Sequence, residues 1–369
     1  MSTQPVIDMC MSTRVIVTCG TGGVGKTSVA AALGFEVAQQ GKRAIVITID
    51  PARRLADAIG LGEGTGNEIQ RVPLDAAGEL WVTMLDVQET FDSLVRDTSP
   101  TPERAKEVMD NSFYRSLSRS LSGTRDYMAA ERLYDLCEDQ RFDVIIVDTP
   151  PSRNALDFLE SPERLARFLK HPIVKFLVAP SRGGFRLVNA AMQPVFKAIS
   201  TVVGGDTLTG TAAFLRAFDG MEEEFSRRAL VVADTLRSSV SSFVIVTAPS
   251  PDALTEANHF VSELSRLGIT LRLIVANRMP PHFGTLTATE EHSMAQSQSG
   301  DLARVHELIA GLHDDADRAD SDIQAFIQRT SVAFPAVSIA FATELATDIH
   351  DMDSIGALAQ QLAAPPSQQ

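Results

Sequence analysis

Ten residues near the amino terminus, Cys19-Gly-Thr-Gly-Gly-Val-Gly-Lys-Thr-Ser28, constrain this chain more than any other stretch. From Gly20 to Thr27 they fit the spacing G-x-x-x-x-G-K-[ST]. The preceding Arg14-Val-Ile-Val-Thr18 is β-branched and predicts a buried strand, while Ser28 to Gln40 is alanine-rich with Leu33, Phe35 and Val37 at helical spacing. A strand, a glycine loop and a helix in that order form a phosphate cradle. Successive backbone N–H groups turn inward around a polyanion, and a Cβ at Gly22, Gly23 or Gly25 is expected to obstruct them. Lys26 is expected to meet the β- and γ-phosphates and Thr27 to offer its hydroxyl to Mg²⁺, with the partial positive charge of the helix terminus behind them. The loop Gly20, Thr21, Gly22, Gly23, Val24, Gly25, Lys26, Thr27 and Ser28 is thus a nucleotide site.

A chain of 369 residues, 44% hydrophobic, has material for a large core. Its net charge of −14 argues against a nucleic-acid or anionic-membrane partner, which an acidic protein repels at long range. Cys10, Cys19 and Cys137 form no C-x-x-C pair and have no histidine at metal-ligand spacing, which suits a reducing cytoplasm. Met1 to Ser12 lacks the pattern of a signal peptide. The most apolar stretch, Ile173 to Gly204, is interrupted by Lys175, Pro180, Arg182, Arg186, Asn189, Pro194 and Lys197, so no transmembrane span is expected.

After the first helix, Lys42 to Ile49 predicts a second strand ending in Asp50-Pro-Ala-Arg-Arg, which places Asp50 beside the phosphates at a carboxyl strand end. A third strand is expected at Leu80 to Leu85, and helix from Thr90 to Glu138 with a break at Ser99-Pro-Thr-Pro102. Arg141 to Asp148 is a hydrophobic strand ending in an acid, and Asp148 is expected to hold a Mg²⁺-bound water. Ser152 to Ser241 is a helical block between sheet strands. Within it Phe185, Val188, Met192, Val195, Phe196, Ile199 and Val202 recur at helical steps, and Phe214, Leu215, Phe218, Met221 and Phe225 make a second stripe. Strands at Ser242–Thr247 and Leu271–Asn277 flank a helix at Asp252–Leu267. A polar loop at Thr285–Gly300, a helix at Leu302–Thr330, a strand near Phe334–Ile339 and a helix at Met352–Leu362 complete the chain. The expected fold class is α/β: one P-loop domain over residues 1–369, a mostly parallel doubly wound sheet. Its helical inserts, at about 90–138 and 152–241, form a helical subdomain.

Three segments resemble the arsenite-pump and tail-anchored-protein-targeting ATPase family, a branch of the deviant P-loop NTPases that includes the MinD and ParA groups. GTGGVGKTS is similar to the family's loop, ITIDPARRLADAIG to its switch I, and VDTPPSRNALDFLESPERL to its switch II. Weaker similarity runs on through VTAPSPDALTEANHFVSEL and IVANR. The resemblance implies ATP and Mg²⁺ as cofactors and catalytic roles for Lys26 and Asp50, the latter acting on the attacking water. It places Thr27, Asp50 and Asp148 around the metal. Asn277 resembles an adenine-reading asparagine, the plain alternative being a strand-ending asparagine in a turn.

Family members carry a lysine where this chain has Thr21. That lysine reaches the partner's phosphates across a nucleotide-sandwich dimer. A threonine brings no charge, so a heterodimer with a homologous ATPase subunit is favoured over a homodimer, unless Arg53 or Arg54 substitutes. Ser152 to Asp157 also departs from the family's switch II. The leading function is a cytoplasmic Mg²⁺-dependent ATPase whose closure controls a helical surface for a hydrophobic helical client or a membrane protein. An arsenite- or anion-transport subunit is one alternative, and a regulatory subunit complementing an active paralogue another. Membrane partitioning of the MinD kind is disfavoured, because Ser354 to Gln369 holds no lysine or arginine.

Overall fold

The structure is a computed structural model that describes residues 4–50, 55, 59, 67–111, 114, 122–150, 221–281 and 300–364. Long β-branched runs without polar alternation suit strands buried on both faces, and such strands assemble in parallel with helices above and below. One eight-stranded sheet results, in the order β3-β4-β2-β5-β1-β6-β7-β8. Its strands are β1 (Val15–Cys19), β2 (Arg43–Thr48), β3 (Gln70–Val72), β4 (Glu79–Met84), β5 (Val144–Asp148), β6 (Ser241–Thr247), β7 (Leu271–Met279) and β8 (Ser338–Thr343). All neighbours pair in parallel except β3, which lies antiparallel to β4 at one edge. The fold is the expected α/β class with a mostly parallel P-loop sheet.

On one face lie α1 (Pro5–Ser12), α2 (Lys26–Gln39) and α9 (Met352–Ala363). Glycines let these helices approach closely: a Cβ on Gly34 of α2 would stand 2.8 Å from Val46 Cγ2 on β2. The other face is covered by parts of α5 (Ser122–Glu138), α6 (Glu222–Arg237), α7 (Pro251–Leu267) and α8 (Gly300–Ala333). A third apolar cluster stands apart from the sheet. It joins α3 (Val87–Thr98), α4 (Pro102–Met109), Tyr114 and the first halves of α5 and α6 through Phe91, Leu94, Val108, Tyr127 and Phe225. The Pro-bounded break expected at Ser99–Pro102 separates α3 from α4, whose amino terminus is capped by Thr101 through the Arg104 N–H at 3.3 Å.

Some elements differ from expectation. The last strand is shifted: α8 runs on to Ala333, Phe334 to Val337 makes the turn around Pro335, and β8 starts at Ser338. Cys10, near the amino terminus, is fully buried in α1 under the sheet. The edge strand β3 was not expected. Met221 and Phe225 of the second stripe are buried in the helical cluster. Arg53, Arg54, Ser152 to Asp157, the stripe Phe185 to Val202, Phe214, Leu215, Phe218 and the polar segment 285–299 lie outside the described residues. Among the described residues no helix is long and apolar enough to cross a membrane.

An ion pair clasps α5 to α6 where the helical cluster meets the sheet. Arg228 Nη1 donates to Glu131 Oε1 at 2.6 Å, with the glutamate side chain only 2% exposed, while Arg228 also bonds Glu224 at 3.0 Å and lies 5.0 Å over the Tyr134 ring. Burial pushes the Glu131 carboxyl up to about 7 against the pull of Arg228, and removing the arginine would strand a buried acid. Arg228→Met is therefore expected to lower unfolding free energy by about 3–5 kcal/mol, and Arg228→Met with Glu131→Met to recover most of it, as read from denaturant midpoints.

Candidate functional site

At the carboxyl end of β1 the chain turns through the glycine loop into α2. Gly20 has φ of +153° and a Cβ there would lie 2.2 Å from the Val246 carbonyl oxygen on β6, so this turn needs glycine for space as well as conformation. Gly25, at φ +90°, forms the N-cap of α2 with no side chain capping the helix. A Cβ on Gly25 would strike the Asn277 amide nitrogen at 2.3 Å, whereas one on Gly23 would meet nothing within 4 Å. The expected obstruction is thus steric at Gly25, against Asn277, and conformational at Gly23, where φ is +83°. The uncapped amino terminus of α2 leaves N–H groups and the positive helix end for an anion.

Lys26 is 6% exposed and its ammonium donates to the Thr21 carbonyl at 2.8 Å, folding the side chain back along the loop. Thr27 Oγ1 donates to Asp148 Oδ2 at 2.8 Å. The parallel register sets Thr48 of β2 level with Asp148 of β5, and the Thr48 hydroxyl reaches the same oxygen at 3.0 Å. Asp148 Oδ1 is buried without a hydrogen-bond partner. Burial pushes the Asp148 carboxyl up to about 6, against the hydroxyls of Thr27 and Thr48 and the charge of Lys26, which pull it down. Asp50 closes the group: its own N–H bonds Thr48 Oγ1 at 3.2 Å, and its carboxylate adds to the negative field at Asp148. A cleft of about 190 Å³ is lined by Gly25, Lys26, Thr27, Asp50, Thr149 and Arg278, among others.

An orphaned carboxylate oxygen beside a threonine hydroxyl is an oxygen donor set of the hard kind that suits Mg²⁺, which keeps waters and phosphate oxygens in its remaining positions. Among the described residues no cluster of three or more His, Cys, Asp or Glu forms an all-protein metal cage.

Asn277 is buried near the carboxyl end of β7, just before the exposed Arg278. Its amide donates to the Val24 carbonyl at 2.8 Å, pinning the glycine loop from the side. Beyond it lies a second, larger cavity of about 500 Å³, lined by Gly25, Ser28, Asn277, Arg278, Glu344 and Asp348, among others. Both cavities share Gly25, Ser28, Arg278 and Ile349, so together they make one elongated groove across the α2 terminus.

Residues 13–310 match the anion-transporting ATPase family. The chain belongs to that family. Among relatives, it is 22% identical to a putative arsenical pump-driving ATPase of Aquifex aeolicus, over 73% of this chain and 64% of that protein. It is 23% identical to the ATPase GET3 of Malassezia globosa, over 75% of this chain and 76% of the other. It is 24% identical to an ATPase ASNA1 homolog of Entamoeba dispar, over 71% and 75%. The chain thus spans a little under two thirds of the Aquifex protein and about three quarters of the other two.

As a member of this family of ATP-hydrolysing enzymes, the chain brings the expected Gly20 to Ser28, Asp50, Asp148 and Asn277 to one end of the sheet. Sequence reasoning missed Thr48, Thr149, Arg278 and the 343–349 segment. Thr48 had a signal, a hydroxyl two residues before Asp50 in an otherwise apolar strand. Thr149, whose hydroxyl bonds the Thr18 carbonyl at 2.6 Å, follows Asp148 directly. The 343–349 segment, distant in sequence, had none.

The upward shift of the Asp148 pKa has a sign that can be tested in the protein free of nucleotide and divalent cations. A carboxyl held above its unfolded value binds its proton more tightly when folded, so its contribution is full below the unfolded value of 3.8 and is lost as pH rises through about 6. The melting temperature of wild type relative to Asp148→Asn is expected to fall between pH 4.5 and 7, over a span worth at most about 3 kcal/mol. A difference that is flat or rising across that range would show the carboxylate to be ionised throughout.

Proposed function

We propose that this chain is a cytoplasmic Mg²⁺-dependent ATPase that closes around ATP as a dimer and uses that closure to control a helical surface. The observation that carries the reading is the sharing of one buried carboxylate, Asp148, between the hydroxyls of Thr27 and Thr48, with Thr27 itself lining the cleft beside Lys26 and Asp50. In this reading Lys26 leaves the Thr21 carbonyl for the β- and γ-phosphates, where its charge fixes them in line with the loop N–H groups. Thr27, with Asp148 and Asp50 around it, would hold Mg²⁺, which when bound supplies neutralising charge to the phosphate oxygens. Asp50 orients the attacking water and accepts its proton, and Asn277 offers its amide oxygen to the base while its nitrogen stays on Val24.

Thr21 sets the dimer question. With no cation at that position, the developing charge needs one from elsewhere, and a homologous subunit bearing lysine there is the partner favoured. The chain would then be the assisted half of a heterodimer. A non-hydrolysing regulatory role is less favoured because Lys26, Thr27, Asp50 and Asp148 are all present. An arsenite subunit needs thiolates that converge. Cys10 and Cys19 are buried in cores on opposite faces of the sheet, both pushed up to about 12 by desolvation, and Cys137 on α5 is pushed up to about 11 by the same cause. The client reading, a hydrophobic helix presented to the helical region, rests on the apolar stripes of the sequence, of which Met221 and Phe225 are buried in the cluster of α3 to α6.

Isolated wild type is expected to bind ATP and hydrolyse it slowly. Lys26→Ala should abolish binding, and Asp50→Asn should keep binding while slowing turnover by roughly a hundredfold or more. Turnover by Asp50→Asn at the wild-type rate would remove Asp50 from the chemistry. Thr21→Lys should accelerate the isolated protein, with finger contributions of roughly a thousandfold setting the upper scale. A fast wild type unmoved by Thr21→Lys would place the cation elsewhere and direct attention to Arg53 and Arg54.

A further inference from the structure

Arg278 is the only non-glycine described residue with positive φ, at 57°. The cause lies in the pairing of β7 with β8. Ala276 is level with Phe341 and Met279 with Thr343, so Asn277 and Arg278 together oppose Ala342. This is a bulge, a device that re-aims side chains at the end of a strand. Left-handed backbone is disfavoured for a long side chain, and glycine or asparagine would occupy it at less strain. The chain nonetheless carries arginine there.

The placement gives the side chain a use. Arg278 is exposed and lines both cavities, at the boundary they share with Gly25 and Ser28. Among the described residues its guanidinium makes no hydrogen bond and no ion pair, although Glu344 and Asp348 line the larger cavity with it. An arginine held by a strained bulge against the mouth of a phosphate cleft, yet not spent on the nearby carboxylates, is an anion-pairing group. The phosphate it can meet follows from the order along the groove. Lys26 and Thr27 are set for the terminal phosphates, and the larger cavity beyond Asn277 has the size for a nucleoside. The first phosphate from the nucleoside sits at the boundary.

We propose that Arg278 is a nucleotide-binding residue that pairs with the α-phosphate, a contact made alike by nucleoside triphosphates and diphosphates. It rests on the reading of this groove as a nucleotide site and adds to it a residue. The contact is uniform binding: it holds substrate and product equally and gives no preference for the triphosphate.

The test is calorimetric titration of wild type, Arg278→Gly and Arg278→Lys with Mg²⁺-ATP and Mg²⁺-ADP. Arg278→Gly removes the guanidinium and relieves the backbone, so without nucleotide it is expected to melt at or above the wild-type temperature. Its dissociation constants for ATP and ADP should rise by the same factor, about tenfold to a hundredfold, the range of a hydrogen bond to a charged group. Arg278→Lys should fall between, keeping the charge without the fork. Unchanged constants for both nucleotides would overturn the proposal. So would a loss confined to ATP, which would put the guanidinium on the terminal phosphate. If wild type bound neither nucleotide, the reading of the groove itself would fall, an outcome distinct from a wild type that binds both and a glycine variant that binds them equally well.

Discussion

A carboxylate with no solvent exposure at the end of a parallel sheet is costly unless its charge is met, and Asp148 is met by two hydroxyls and a nearby ammonium. The geometry of the site follows from meeting it. Thr27 can reach Asp148 only if α2 starts where the glycine loop delivers it, and Thr48 only if β2 and β5 are in their observed register. A slip of one residue in that register would turn the side chain at this level to the opposite face of the sheet. The carboxylate therefore links the loop, the β2 exit with Asp50 and the β5 exit with Thr149 into one unit. Its second oxygen, Oδ1, has no hydrogen-bond partner among the described residues.

Among the described residues, α5 and α6 each pack in both the helical cluster and the sheet core. In α5, Tyr127 and Met128 belong to the helical cluster, while Ala129, Ala130, Leu133 and Leu136 pack on the sheet side. In α6, Phe225 and Ala229 belong to the helical cluster and Val232 and Leu236 to the sheet core. The Arg228–Glu131 pair sits where the two environments meet. A buried, hydrogen-bonded pair is directional where apolar packing is not, so it fixes how the two helices lie against each other. A movement that shifts α5 against α6 would have to break this pair.

What could be read in the sequence was what local order determines. The strand-loop-helix around Lys26 and the acid-terminated strands before Asp50 and Asp148 are local patterns, and each stands where the pattern put it. Ends and edges were less legible because non-local pairing decides them. Phe334 to Ile339 is as apolar as a strand should be, yet α8 continues through Ala333 and β8 begins only where it can pair with β7. Gln70–Val72 is too short and polar to signal a strand, and pairing with β4 alone makes it one. Asn277 was visible at a strand end. Its hold on Val24 depends on a loop some 250 positions away in sequence, and no local pattern encodes that.

That hold gives the glycine loop a second support besides the phosphates it is built to receive. Asn277 presses its amide against the place where a Cβ on Gly25 would be and bonds the carbonyl just before it. Gly25 is the hinge of the loop, at φ +90° and directly ahead of Lys26. A residue with a side chain at position 25 would have to displace the asparagine, and the asparagine sits in the bulge that also aims Arg278. The phosphate loop and the larger cavity thus have one contact in common. A ligand that fills the larger cavity and shifts Asn277 must alter the loop at the N-cap of α2, where the phosphates are held. The Asn277–Val24 contact is thus the point at which the wall of the larger cavity touches the phosphate loop.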